Sequence, residues 1–169
     1  HIQQKELSVS RENIQYNRRW LYNPKKQTKT FDFGEKEKRL DLEQKDQKIL
    51  DILVKNSREK IIDIAEKTNL SVDIVRYRIK KMEQEKIIRG YKCLYNTKAL
   101  GYTTCKAFIY FKNITNEKKQ RFMEFCQNHP NCINIVTTFA PWDLEIMFET
   151  PSYESYFEII EEFKNKFAS

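Results

Sequence analysis

The sequence predicts an α+β fold in which a helical module with a helix-turn-helix pattern precedes a small module of strands and helices. Between residues 40 and 90, apolar side chains recur every three or four positions, which is the helical period, with a break at residues 68–71. After residue 101, strand-like and helix-like segments follow in the order β-α-β-β-α. The second module is therefore one strand short of a ferredoxin-like βαββαβ unit.

Charge is distributed unevenly along the 169-residue chain, whose net charge is +7. The positive excess lies in residues 1–40 and 71–104, whereas residues 105–169 are slightly acidic. This asymmetry indicates a polyanionic partner for the middle of the chain and a different task for its end.

The cysteines and the hydropathy pattern exclude several classes of protein. Cys93, Cys105, Cys126 and Cys132 show no CxxC pair and no neighbouring His cluster, so we expect free thiols, no structural metal and no cofactor. No apolar run approaches the length of a membrane span, and no signal-peptide pattern opens the chain. We therefore expect a cytoplasmic protein that does not bind membranes.

The first 39 residues predict a strand followed by a basic linker. Residues 7–16 alternate apolar and polar side chains, which favours a strand. Residues 23–39 are polar and rich in Lys, and they contain Pro24 and Gly34, a composition typical of a linker. The chain begins without Met, which we interpret as a fragment or a processed start.

The helical module is predicted to contain three helices and an exit strand. Residues 40–55 form the first helix, with Asp41 as a candidate cap. Asn69 suits the turn between the second and third helices, and Ser71 suits the N-cap of the third. Residues 87–94 have the composition of a strand, as a wing would.

The third helix, predicted over residues 71–84, has two distinct faces. One face carries a buried apolar stripe, and the other offers long polar side chains, as a helix that enters a DNA groove does. The alternative is an ordinary amphipathic helix with a solvated basic face. The apolar stripe is Val72, Val75, Ile79 and Met82; the opposite face and its flanks carry Asp73, Ile74, Arg76, Tyr77, Arg78, Lys80 and Lys81.

The second module is predicted to run from a strand at residues 102–111 to a helix capped by Ser152. Between them lie a helix at residues 116–128 and strands at 133–139 and 143–149, the last two joined by a turn.

Together these segments resemble the Lrp/AsnC (feast/famine) family of prokaryotic transcription regulators. The resemblance rests on the ordered segments LDLEQKDQKILDIL, NSREKIIDIAEKTNLS, VRYRIKKMEQEKIIRGY, ALGY and PWDLEIMF. It implies a winged helix-turn-helix at 40–95 that binds DNA and a ferredoxin-like RAM domain at 96–169. The N-terminal strand and basic linker at 1–39 form a third region that a minimal member of the family does not have. The RAM domain dimerises in the family, and in many members it senses an amino acid.

The resemblance also implies partners and site residues. The partners are double-stranded DNA, a second copy in a homodimer or higher even oligomer, and a small effector such as an amino acid. Asp73, Ile74 and Tyr77 would lie nearest the base edges, and the basic side chains would contact phosphates. The full DNA-binding set is Ser71, Asp73, Ile74, Arg76, Tyr77, Arg78, Lys80, Lys81 and Arg89; the effector set is Thr138, Ala140, Trp142 and Asp143.

Departures from the family pattern lead to further expectations. Lys86 stands where the family has a Gly that favours positive φ, so we expect either tolerated backbone strain or a different end to the helix. Ala140 stands for a Gly at the effector turn, and with Pro141 it removes conformational freedom and a backbone N–H donor, so we expect a weak or absent response to amino acids. We expect the last strand of the second domain to be either missing or supplied by the N-terminal segment. The N-terminal segment resembles the end of a preceding module in a tandem archaeal-type protein, and we expect it to pair with the sheet, in this chain or in another copy.

Two other functions remain open from the sequence. Siroheme decarboxylase subunits resemble this family in fold, although His, which such an enzyme would need, is scarce here. A module that only mediates assembly is the other alternative. We expect no enzymatic activity, because no nucleophile motif, phosphate-binding Gly loop or paired acid and base is recognisable.

Overall fold

The computed structural model describes residues 6–21, 31–34 and 40–167. Ten α-helices and β-strands occur in these ranges, together with a short 3-10 helix at Lys98–Leu100. In chain order they are β1 (Val9–Gln15), β2 (Phe31–Phe33), α1 (Gln44–Lys55), α2 (Ile61–Thr68), α3 (Val72–Gln84), β3 (Thr103–Ile109), α4 (Asn116–Asn128), β4 (Cys132–Phe139), β5 (Leu144–Thr150) and α5 (Tyr153–Phe167).

The chain divides into two compact units. The helical unit comprises α1, α2 and α3 in residues 40–94, and the sheet unit comprises the remaining described residues. In the helical unit, Ile49, Ile64 and Val75 come from the three different helices and are fully buried. Each such side chain contributes about 1.5–3 kcal/mol by leaving water, so this shared core is what holds the three helices together.

Local signals fix where the helices of this unit begin and end. The first helix begins later than predicted: Glu43, rather than Asp41, is its N-cap, in a capping box with Asp46. Asn69 ends α2 in the left-handed conformation at φ 56°, as expected for the turn residue of a helix-turn-helix. Ser71 then caps α3 by accepting the Ile74 N–H at 3.3 Å.

The sheet unit contains one five-stranded antiparallel sheet in the order β2-β1-β4-β5-β3. Its buried core includes Ile135, Ile146 and Phe148 from the strands, with Phe122 from α4 and Phe163 from α5. Two helices on a β-α-β-β-α chain give the predicted ferredoxin-like arrangement without its final strand.

The N-terminal segment pairs with this sheet in the same chain, as predicted. Strand β1 runs antiparallel to β4, with Ile14 opposite Ile135. In a split βαβ unit one strand lies between two parallel ones, as β5 lies between β3 and β4. The same rule would place a strand after α5 outside β3, whereas β1 occupies the opposite edge. Strand β1 therefore extends the sheet and does not replace the missing strand.

The predicted linker also contains a strand. Residues 31–33 form β2, which pairs antiparallel with β1. The rest of the predicted linker, apart from Gly34, lies outside the described residues. Within the part of the chain that the structure describes, no helix is long and apolar enough to cross a membrane.

Candidate nucleic-acid interface

One side of helix α3 is buried against the core of the helical unit, and the other side is exposed. Val75 and Met82 are buried in the core of the helical unit, and Val72 and Ile79 pack against that core. These four residues are the apolar stripe that the sequence predicted. Because they recur at spacings of three and four, most of the positions between them point away from the core.

The outward side of α3 combines one aromatic, one aliphatic and several charged side chains. Tyr77 is 63% exposed and Ile74 is 39% exposed, so both can be reached by a partner. Asp73 and Lys80 are also exposed. Arg76 pairs with Asp73 at 3.0 Å on the surface, where such a pair contributes little and can be exchanged for a contact with another group.

Arg78 does not belong to this outward set, although the sequence assigned it to DNA. Its side chain is only 14% exposed, and it donates to Glu43 at 2.6 Å and to Asp46 at 3.2 Å. The hydrogen bond from Arg78 lowers the pKa of the Glu43 carboxyl below its ordinary value. Arg78 therefore joins α3 to the first turn of α1.

Only the Glu43–Asp46 part of this network could be predicted from the sequence. Glu43 and Asp46 are spaced as a capping box, which is visible from the chain alone. Their common partner, Arg78, lies 32 residues from Asp46 along the chain. No local sequence pattern could have identified it.

The other two basic positions lie toward the end of α3 and beyond it. Lys81 is half-buried and lies 3.9 Å from Glu85, and Arg89 is half-buried. Lys86 has φ 58°, the left-handed conformation expected where the family has Gly. Residues 87–94 form no strand, so the predicted exit strand is absent; Ile87 and Ile88 instead pack against the helical core.

The four residues assigned to an effector lie together at the turn between β4 and β5. They line a cavity of about 660 Å³ in the sheet unit. Two of their polar side chains already have partners within the sheet unit: Thr138 Oγ1 donates to the Trp142 carbonyl at 3.0 Å, and Asp143 accepts the Phe111 N–H at 2.8 Å. Trp142 is buried, and its Nε1 donates to Glu145 at 3.1 Å. Ala140 is half-buried.

Known DNA-binding proteins resemble the helical unit in sequence. The family described as winged helix-turn-helix DNA-binding matches residues 42–89. The HTH-type transcriptional regulator LrpA of Pyrococcus horikoshii is 40% identical over 62 residues, which are 37% of this chain and 44% of LrpA. The chain therefore covers less than half of that relative's length.

Two further similarities extend into the sheet unit. The HTH-type transcriptional regulator FL11 of Pyrococcus abyssi is 27% identical over 128 residues, 72% of this chain and 82% of FL11. The solved structure of Bacillus subtilis LrpC superposes with a TM-score of 0.67 at 25% identity, covering 75% of this chain and 89% of LrpC.

Proposed function

We propose that the chain is a transcriptional regulator of the Lrp/AsnC family, which binds specific sequences of double-stranded DNA through α3. One observation carries the proposal. A capped helix buries one stripe in its own unit and leaves a tyrosine, an isoleucine and charged groups exposed on the other side, within the segment that matches the DNA-binding family. A helix of this kind can lie in the major groove.

The exposed residues divide by the kind of DNA contact that their chemistry allows. Ile74 and Tyr77 offer apolar contact and one hydroxyl to base edges, and Asp73 can accept a hydrogen bond from cytosine. The cations near α3 attract phosphates and carry no sequence information. Arg78 acts through its pairs with α1, which fix the orientation of the helix. The proposed DNA-contacting set is Ser71, Asp73, Ile74, Arg76, Tyr77, Lys80, Lys81 and Arg89.

Two chains would be needed to read a two-fold symmetric site. We assign residues 40–95 to DNA binding and residues 96–169 to formation of a homodimer or a higher even oligomer in the cytoplasm, without enzymatic activity. A truncated chain that ends at Tyr95 should then sediment as a monomer while the full chain sediments as a dimer or larger. A dimeric truncated chain would contradict the assignment.

A gel-shift titration over a range of salt concentrations tests the DNA contacts. Replacing Lys80 and Lys81 by Ala should weaken binding to all duplexes alike and flatten the salt dependence by about one unit per lost contact. Lys48 and Lys55 are exposed on α1, so replacing them by Ala makes the same charge change as a control. If both double variants behave alike, the proposed role of α3 is wrong.

A substitution of Tyr77 tests whether α3 recognises the base sequence of the DNA. Tyr77→Ala should change which sequences are preferred, because a contact to base edges is lost while the phosphate contacts remain. Equal losses on every sequence would assign Tyr77 to the DNA backbone.

A further inference from the structure

A second cavity of the sheet unit is lined by the N-terminal segment, the α4–β4 loop and α5. Its volume is about 500 Å³, in the size range of pockets that bind small molecules. Trp20 and Tyr102 supply aromatic rings to its wall, and α5 supplies Glu158 and Glu162. None of its lining residues lines the cavity at the β4–β5 turn. We call it the α5 cavity.

The aromatic part of the wall is fixed in place. Trp20 Nε1 donates to the Glu149 carboxylate at 2.9 Å, and the Trp20 ring stacks on Tyr102 with the ring centres 3.8 Å apart. Both residues are half-buried, so part of each ring is left for a ligand to contact. Aromatic faces carry negative partial charge and attract cations, and they also give carbon chains an apolar surface.

The two glutamates of α5 are available to a ligand. They are four positions apart, so they lie on the same side of the helix, about 6 Å apart along its axis. Both are exposed, and neither has an ion-pair partner among residues 6–21, 31–34 and 40–167. Ile159, between them in sequence, is buried and adds an apolar surface to the same cavity.

No basic side chain in the lining balances these carboxylates, although the whole chain has a net charge of +7. The arginines beside Trp20 have other partners: Arg18 donates to Glu149, and Arg19 donates to the Asn128 carbonyl at 2.8 Å. His129 also lines the cavity, but burial lowers its pKa below the ordinary value, so it is neutral at pH 7. The α5 cavity is therefore negatively charged.

We propose that the α5 cavity binds a small aliphatic diamine. Its two ammonium groups pair with Glu158 and Glu162, and its carbon chain lies against Ile159 and the rings of Trp20 and Tyr102. A metal ion suits the cavity less well, because Mg²⁺ and Ca²⁺ need six or more oxygen ligands. Among the described residues, no group of three or more His, Cys, Asp or Glu side chains could hold a metal ion.

Isothermal titration of the full chain without DNA tests the proposal, at one low ionic strength so that screening is equal for all ligands. Putrescine, a four-carbon diamine, should bind saturably. Butylamine, which has the same carbon chain and one ammonium group, should bind about threefold to tenfold more weakly, because one carboxylate loses its partner. Butanol and Mg²⁺ should give no saturable heat.

Substitutions separate the cavity from the rest of the acidic surface. Glu158→Gln with Glu162→Gln should weaken putrescine binding by about tenfold, and both positions are exposed, so folding is not at risk. Glu124→Gln with Glu161→Gln makes the same charge change at exposed positions outside the cavity and should leave binding unchanged. Tyr102→Leu keeps an apolar side chain without the ring and should weaken binding by about threefold.

Three results would overturn the proposal. They are the absence of saturable heat with putrescine, an equal loss in the two double variants, and saturable Mg²⁺ binding that disappears in Glu158→Gln with Glu162→Gln. The first would show that the cavity takes no diamine, the second that the whole acidic surface attracts it, and the third that the site holds a metal. DNA is not needed for this binding, so failed gel shifts with intact putrescine binding would contradict only the proposed function.

Discussion

Each unit contains an arginine that joins two distant segments, but the two arginines lie in different surroundings. In the sheet unit, Arg18 Nε and Nη2 donate to Glu149 at 2.8 Å each, and Trp20 Nε1 donates to the same carboxylate at 2.9 Å. Glu149 is only 1% exposed. In the helical unit, Arg78 pairs with buried Asp46, but its other partner, Glu43, has a side chain that is 55% exposed.

This difference decides what happens when each arginine is removed. A carboxylate without water must keep its partner, because an unpaired buried charge is strongly destabilising. Glu43 can turn into water and Asp46 keeps the Glu43 N–H at 3.2 Å, so the helical network has a partial replacement. The Arg18 contact of the N-terminal segment should therefore be harder to replace than the Arg78 contact between α3 and α1.

The largest effect is expected for Arg18→Met. It should lower the free energy of unfolding of the sheet unit by about 3–5 kcal/mol, since the buried Glu149 side chain loses its cationic partner. Both tryptophans, Trp20 and Trp142, belong to this unit, so urea unfolding followed by tryptophan fluorescence reports on it alone.

A double variant checks the cause of that loss. Arg18→Met with Glu149→Met removes the stranded charge and should be less destabilised than Arg18→Met alone. If the double variant loses more than the single variant, the buried charge is not the cause.

Arg78→Met should cost less, about 2 kcal/mol, in the helical unit. Hydrogen exchange at the Val75 and Ile64 amides measures this unit without interference from the sheet. DNA selectivity should fall as well, because α3 loses its connection to α1. A loss as large as that of Arg18→Met would remove the distinction between the two arginines.

Lys86→Gly should stabilise the helical unit by about 1 kcal/mol, because Lys86 occupies the left-handed region at φ 58°. Lys80→Gly, within α3, is the matched control and should destabilise by about the same amount. The change in hydrogen-exchange protection of the core amides gives both values. Destabilisation by Lys86→Gly would mean that the side chain at this position contributes more than the backbone strain costs.

The smallest expected effect is a difference between the two units in how their stability depends on pH. Burial lowers the pKa of His129 below its ordinary value of 6.5, although Glu162 opposes this shift. The unfolded state then binds the proton more readily, so the sheet unit gains stability as the pH rises toward about 6.5 and no further above it. The helical unit, which contains no His, should show no such rise.

His129→Gln is the variant that tests this assignment, with urea unfolding of the sheet unit measured on both sides of neutrality. His129 Nδ1 accepts the Asn131 N–H at 3.2 Å, a bond that protonation at this nitrogen would break. Removing the imidazole should flatten the pH profile; an unchanged profile would assign the titration to another group.

The sequence alone determined what depends on neighbours within a few positions. Helix α4 has the predicted limits, Ser71 caps α3, and Asn69 and Lys86 have the backbone conformations that their positions required. The apolar stripe of α3 also followed from its period. Caps, turns and periodicity act over one or two turns of chain, so their signals are written in consecutive residues.

The tertiary structure alone decided which distant segments meet. Arg18 and Glu149 are 131 positions apart, and the strand at 31–33 lies in a stretch whose lysines indicated a linker. The irregularity between Ser10 and Glu12 likewise depends on the register between β1 and β4. Such pairings depend on how whole helices and strands pack against one another. Burial and charge pairing are set by positions in space, so the sequence around each residue does not predict them.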